Sequence, residues 1–136
     1  MEAYDPFLAP IPDKWLALSE LERIALVEEI HEQDGNFGEN LRLHASIHVV
    51  VENQLALRQP AEVGEALLRL MRQGLDRHDA IHAIGTVLAE HMFPMLKDPT
   101  NAPPFDQTHY REALRHASAA SWKGHGPSRR WSRRKR

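Results

Sequence analysis

The chain has 136 residues, 42% of them hydrophobic, and no cysteine. This length fits one domain with a single core, and without thiolates any bound metal must have nitrogen or oxygen ligands. The lack of cysteine agrees with a cytoplasmic location, which we expect. The proline-broken N-terminus is not expected to be a signal peptide, and no apolar run approaches the roughly 20 residues that span a bilayer.

Charge is distributed unevenly along the chain. Residues 123–136 carry seven basic side chains and no acidic one, so the net charge of −2 leaves −9 for residues 1–122. The basic residues are Lys123, Arg129, Arg130, Arg133, Arg134, Lys135 and Arg136. Glycine, proline and serine separate them, which predicts a disordered tail over 123–136 that could bind a polyanion or nucleic acid. Trp122 and Trp131 could stack on bases there.

The first 18 residues are predicted to form an extended arm over the core, because prolines interrupt the apolar residues between Tyr4 and Trp15. Ser19 followed by Glu22 is a capping-box pattern, and helical spacing of apolar residues then predicts a helix over 20–33. Asp34, Gly35 and Asn36 should end it. The folded domain is therefore expected to span 19–122.

Four further helices are predicted in the rest of this domain. Asn40 is a suitable N-cap for a helix over 41–58, and Pro60 begins one that runs to Gln73. Asp76 can cap the next helix, which Pro94 should end, and Asp106 or Thr108 can start a last helix that reaches Trp122. Because no segment alternates like a β-strand, we predict an all-α bundle of four to five helices.

Two pairs of histidines carry the strongest functional signal. His44 and His48 are four residues apart, as are His78 and His82, so each pair shares one helix face. Acidic residues follow the pairs at Glu52 and Glu90. Imidazole and carboxylate ligands together are typical of zinc and iron sites. The predicted ligands of one divalent metal ion are His44, His48, Glu52, His78, His82 and Glu90.

The geometry of the predicted site depends on how two helices run. In an up-down bundle the helices with the histidine pairs would be parallel, which would place His44 level with His78 and His48 level with His82. Glu52 would lie one turn beyond His48, whereas Glu90 is a weaker candidate because of its angle around the helix. The other histidines are interpreted as ordinary core or surface residues: His31, His91, His109, His116 and His125.

The spacing of these residues resembles that of a family of small bacterial proteins known only as a domain of unknown function. The pattern H-x3-H-x3-E-x-Q, then a proline, then D-x-H-x3-H-x7-E, covers about a third of this chain. Its positions here are His44, His48, Glu52, Gln54, Pro60, Asp76, His78, His82 and Glu90. The resemblance implies an all-α bacterial protein and assigns no reaction.

Three classes of function follow from the sequence. The first is a helical metal-binding protein which, with an open coordination position, could be a small metal-dependent enzyme. The second is an RNA-binding or RNA-cleaving domain, because Arg77 and His82 resemble the Arg-x4-His signature of HEPN-type ribonucleases. There, arginine and histidine meet across a helical dimer and act on the RNA backbone. The third is a structural or adaptor protein whose histidines only pack.

Overall fold

The structure is a computed structural model that describes residues 1–34 and 40–123. Over these residues it contains seven α-helices and no β-strand, which confirms the all-α prediction. The helices are α1 (Pro12–Ala17), α2 (Glu20–Asp34), α3 (Leu41–Leu57), α4 (Ala61–Arg72), α5 (Arg77–Lys97), α6 (Gln107–His116) and α7 (Ala119–Lys123). The five longer helices, α2 to α6, correspond to those predicted. Within the described residues, none of the helices is both long and apolar enough to cross a membrane.

Local capping signals fix where the helices begin. The Ser19 hydroxyl accepts from the Glu22 N–H at 3.1 Å while the Glu22 carboxylate accepts from the Ser19 N–H at 2.7 Å, which is the predicted capping box. Side-chain oxygens cap α3, α5 and α6 in the same manner from Asn40, Asp76 and Asp106. Both histidine pairs lie inside capped helices, α3 and α5, where their four-residue spacing places each pair on one face.

Two helix ends differ from the sequence prediction. Helix α5 continues through Pro94 to Lys97, and the Asp98 N–H donates to the Pro94 carbonyl at 3.1 Å. The neighbouring Phe93 and Leu96 are 42% and 48% exposed, so this last part of α5 lies at the surface. Helix α6 ends at His116 because Ala117 has an extended backbone, and α7 then begins separately.

Helix α3 lies between two apolar clusters. The main core joins α3 to α4, α5, α6 and α7 through buried side chains that include Val51, Leu70, Ile81 and Leu114. A smaller cluster, the arm core, consists of Tyr4, Trp15, Val27, Ala45 and Val49 together with partly buried neighbours. The arm core connects the N-terminal residues, α1 and α2 to the other side of α3. The predicted basic tail, apart from the backbone of Lys123 in α7, lies outside the described residues.

Candidate metal centre

A polar stripe runs along α3 between the two cores. Ile47 and Val51 belong to the main core, whereas Ala45 and Val49 belong to the arm core. The residues left between these faces are His44, His48 and Glu52, each one turn from the next. They are 2%, 1% and 1% exposed, so three polar side chains are buried as deeply as their apolar neighbours.

Four buried histidines from three helices come together beside this stripe. We call His31 of α2, His48 of α3, and His78 and His82 of α5 the histidine cluster. Each offers a ring nitrogen, and these four atoms all lie within 4.8 Å of one another. The Nε2 atom of His31 is 3.3 Å from that of His82 and 3.3 Å from that of His78. These four residues could therefore hold a metal ion.

Two of the separations between these nitrogens match those around a small tetrahedral ion. Zinc binds histidine nitrogen at about 2.0–2.1 Å, and tetrahedral angles then separate two ligand atoms by roughly 3.3–3.4 Å. The two Nε2 separations of 3.3 Å agree with this value. Neutral imidazoles without carboxylates or thiolates form a nitrogen-only donor set, which is suited to zinc and to iron.

His44 lies beside the histidine cluster rather than among its four members. Its ring centroid is 4.4 Å from that of His31 and 5.0 Å from that of His82, and its side chain is buried. The predicted convergence of two histidine pairs therefore holds for the rings. The set of nitrogens that meet includes His31 in place of His44.

The relative direction of α3 and α5 was predicted wrongly. Glu52, near the end of α3, contacts Arg77 at the start of α5, while His44 lies against His82. These pairings show that the two helices run antiparallel. The chain therefore departs from a simple up-down order, in which α3 and α5 would be parallel.

His31 is the cluster member that the sequence analysis missed. It has no histidine partner four residues away in its own helix, so no spacing pattern selected it. The available signal was its position on the buried face of α2, one turn after Val27. Its Nδ1 atom contacts the Val27 carbonyl at 2.9 Å, which directs Nε2 toward His78 and His82.

Glu52 lies next to the histidine cluster in an ion pair with Arg77. The guanidinium donates to both carboxylate oxygens, at 2.8 and 2.9 Å, and the two side chains are 1% and 7% exposed. Arg77 also donates to the Pro6 carbonyl at 3.0 Å, which attaches the N-terminal residues. The Tyr4 hydroxyl donates to Glu52 and lies 2.7 Å from Nε2 of His48. Glu52 is thus connected to a cluster histidine through one tyrosine.

The structure does not bring Glu90 to the other predicted ligands. It lies eight residues after His82, about 80° around the helix, and its side chain is exposed. There it lines a separate cavity of about 250 Å³ together with His116 and Trp122. The 3.6-residue periodicity of α5 explains this placement.

Burial favours the neutral form of two cluster histidines, His48 and His82. It is the main reason that the pKa values of His48 and His82 lie well below the ordinary value, and repulsion from neighbouring histidines adds to it. Burial and the nearby His31 lower the pKa of His44 to about 3. Neutral imidazole has the lone pair that a metal needs, so the lowered pKa values of His48 and His82 favour metal binding at pH 7.

An open cleft reaches the histidine cluster from the surface. It has a volume of about 510 Å³ and is lined by Tyr4, Asp5, Pro6, Phe7, Ile30, Gln33 and His78. His78 is the cluster member in this lining, and the Phe7 ring packs edge-on against it with centroids 5.5 Å apart. The cleft is therefore a route by which an ion could reach the centre.

Comparison with known proteins places the chain in a family without assigning an activity. No curated protein and no solved structure matches the sequence. A family model does match, over residues 17–116, and this range contains the histidine cluster as well as His44, Glu52 and Arg77. Because the match covers most of the chain, the protein belongs to the family described as a domain of unknown function, DUF1841.

Proposed function

We propose that the protein binds one divalent metal ion, zinc in preference to iron, through the histidine cluster. The observation that carries this proposal is the convergence of four buried ring nitrogens within 4.8 Å. Buried polar groups cost free energy unless they are hydrogen-bonded or bound to a metal. An ion that binds all four imidazoles would offset that cost and would hold α2, α3 and α5 together.

The donor set favours a stabilising ion over a catalytic one. Structural zinc sites use four protein ligands, whereas catalytic zinc sites use three and leave one position for water or substrate. Four histidine nitrogens would complete a tetrahedron. A metal-dependent reaction would require one of them to be replaced by water, and His78 is suited to this because it lines the cleft.

Elemental analysis of the full chain, purified without a histidine tag, tests the proposal most directly. We expect about one equivalent of zinc or iron per chain, and titration of the metal-free protein with each ion should show which binds more tightly. Cobalt substitution would report the geometry, because tetrahedral cobalt absorbs visible light far more strongly than octahedral cobalt. Failure of zinc, iron and cobalt to bind the metal-free protein would refute the proposal.

A matched pair of histidine variants tests the location of the ion. His31 and His91 both place Nδ1 2.9 Å from a backbone carbonyl one turn earlier, but His91 lies outside the histidine cluster. We expect His31→Ala to lose metal binding and His91→Ala to retain it. Equal affinities in the two variants would show that the ion binds elsewhere.

The ribonuclease interpretation receives no support from the placement of its two residues. Arg77 is 6% exposed and paired with Glu52, and His82 is 1% exposed, so neither side chain can reach an RNA backbone. Binding of a polyanion by the basic tail is a separate proposal, supported by its seven basic residues alone. That proposal is independent of the metal.

A further inference from the structure

The Tyr4 hydroxyl lies between a buried carboxylate and a cluster histidine. On one side is Glu52, whose two oxygens accept hydrogen bonds from the Arg77 guanidinium. Arginine stays protonated in proteins, and an ionised carboxylate can only accept. The contact from Tyr4 to Glu52 therefore uses the single proton of the tyrosine hydroxyl.

The direction of that hydrogen bond determines the next one. With its proton donated to Glu52, the Tyr4 oxygen has only lone pairs left for His48, whose Nε2 is 2.7 Å away. This contact is a hydrogen bond only if His48 has its proton on Nε2. In neutral imidazole the lone pair is then on Nδ1. That Nδ1 atom is buried and has no hydrogen-bond partner among the residues that the structure describes.

His31 shows the opposite arrangement across the same centre. Its Nδ1 lies 2.9 Å from the Val27 carbonyl, which only accepts, so Nδ1 has the proton. The lone pair of His31 is therefore on Nε2, the atom 3.3 Å from His78 and His82. One contact with a backbone carbonyl and one with a tyrosine hydroxyl thus leave the lone pair on Nε2 in His31 and on Nδ1 in His48.

We infer that Tyr4, supported by Glu52 and Arg77, is a positioning residue that makes His48 a metal ligand through Nδ1, whereas His31 binds through Nε2. The part that concerns ligation rests on the proposed metal binding. The tautomers themselves do not, because the hydrogen bonds that fix them are made without an ion. Outer-shell contacts of this kind orient ligand rings and increase their basicity.

Nitrogen NMR of isotope-labelled, metal-free protein tests the tautomers. We expect His48 to have its proton on Nε2 and His31 to have its proton on Nδ1. In cadmium-loaded protein, one-bond coupling to the metal should then appear at Nδ1 of His48 and at Nε2 of His31. A proton on Nδ1 of His48, or coupling of cadmium to its Nε2, would overturn the inference.

Tyr4→Phe tests the contribution of the hydroxyl while keeping the ring in the arm core. The change should lower zinc affinity roughly 10- to 100-fold, as loss of an outer-shell partner typically does. It should also allow His48 to populate both tautomers. Tyr110→Phe is the matched control, because Tyr110 is equally buried and its hydroxyl donates to Gln54 at 2.7 Å, away from the cluster. This control should leave zinc affinity and the His48 tautomer unchanged.

The outcomes separate this inference from the proposed function. If no metal binds but His48 has its proton on Nε2, the metal proposal fails while the role of Tyr4 in selecting the tautomer is retained. If zinc binds and Tyr4→Phe changes neither affinity nor tautomer, the metal proposal is retained and the role of Tyr4 is refuted. Should Tyr4→Phe fail to fold, the NMR of the unaltered protein still decides the question.

Discussion

The main core and the histidine cluster are buried equally but have opposite chemistry. In the main core, Leu70, Ile81 and Leu114 are fully buried and gain stability from removal of apolar surface from water, which requires no ligand. In the histidine cluster, side chains 1–4% exposed place polar ring nitrogens beside one another. Such a region is favourable only when its polar atoms have partners. We therefore expect its stability to depend on hydrogen bonds, on pH and, under the proposed function, on a bound ion.

Helices α3 and α5 contribute residues to both regions. On α3, Ile47 and Val51 face the main core while His48 lies on the adjacent stripe, and on α5, Ile81 lies next to His82. A rotation of about 100° between consecutive residues is sufficient to separate them. Substitutions on neighbouring positions should therefore have effects of different kinds.

Glu52→Gln should have the largest effect, because it breaks the buried ion pair with Arg77. Removing one partner of such a pair leaves an uncompensated buried charge and costs roughly 3–5 kcal/mol. The free energy of unfolding, measured by urea denaturation of the metal-free protein, should fall by this amount. Glu62→Gln is the control, since Glu62 pairs with Arg111 and Arg115, whose side chains are 44% and 48% exposed. A loss for Glu52→Gln no greater than for Glu62→Gln would contradict the prediction.

Leu70→Ala should destabilise the main core by about 2–5 kcal/mol, because it removes fully buried methyl groups and leaves a cavity. Leu68 provides the control in the same helix, as it is 55% exposed and its replacement by alanine should change stability by less than about 0.5 kcal/mol. The difference in free energy of unfolding between Leu70→Ala and the unaltered protein should be the same in buffer with zinc and in buffer without it. A Leu70→Ala protein that no longer binds zinc would show that the two regions are coupled.

The histidine region should lose stability at mildly acid pH. The pKa of His44 is about 3 in the folded protein against an ordinary value of 6.5, so between these values the unfolded chain binds more protons. The contribution of neutral His44 to the free energy of unfolding is therefore fully present above pH 6.5 and decreases as the pH falls towards 3. The loss from His44 is about 2 kcal/mol at pH 5. His48 and His82 act in the same direction. Urea unfolding of the metal-free protein at pH 7.5 and pH 5 measures the combined loss of unfolding free energy from these histidines.

Replacing His44 tests how much of that pH dependence comes from this residue. His44→Leu removes one titrating ring and should reduce the difference between the two pH values. An equal difference in His44→Leu and in the unaltered protein would show that His44 does not contribute. His116, which is exposed, should give no such reduction when it is replaced by glutamine.

Local signals in the sequence predicted the helices but only part of the site. Caps such as Ser19 and Asn40 and the periodicity of apolar residues act within a few residues, so they can be recognised directly. The histidine pairs were found for the same reason. His31 and Tyr4 reach the site from other parts of the chain, 47 and 74 residues before His78. Their contribution depends on tertiary packing, which includes the antiparallel direction of α3 and α5.

The smallest effect on stability is expected from deletion of residues 124–136. This segment has one large apolar side chain, Trp131, and therefore little surface to bury, so the free energy of unfolding should change by less than about 0.5 kcal/mol. Binding to single-stranded RNA, measured by fluorescence anisotropy at several salt concentrations, should be lost, because six of the seven basic residues are removed. A full-length variant with glutamine at Arg129, Arg130, Arg133 and Arg134 separates charge from length and should bind more weakly, with a shallower salt dependence. A large loss of stability on deletion would show that the tail packs on the domain, and retained RNA binding would place the polyanion site elsewhere.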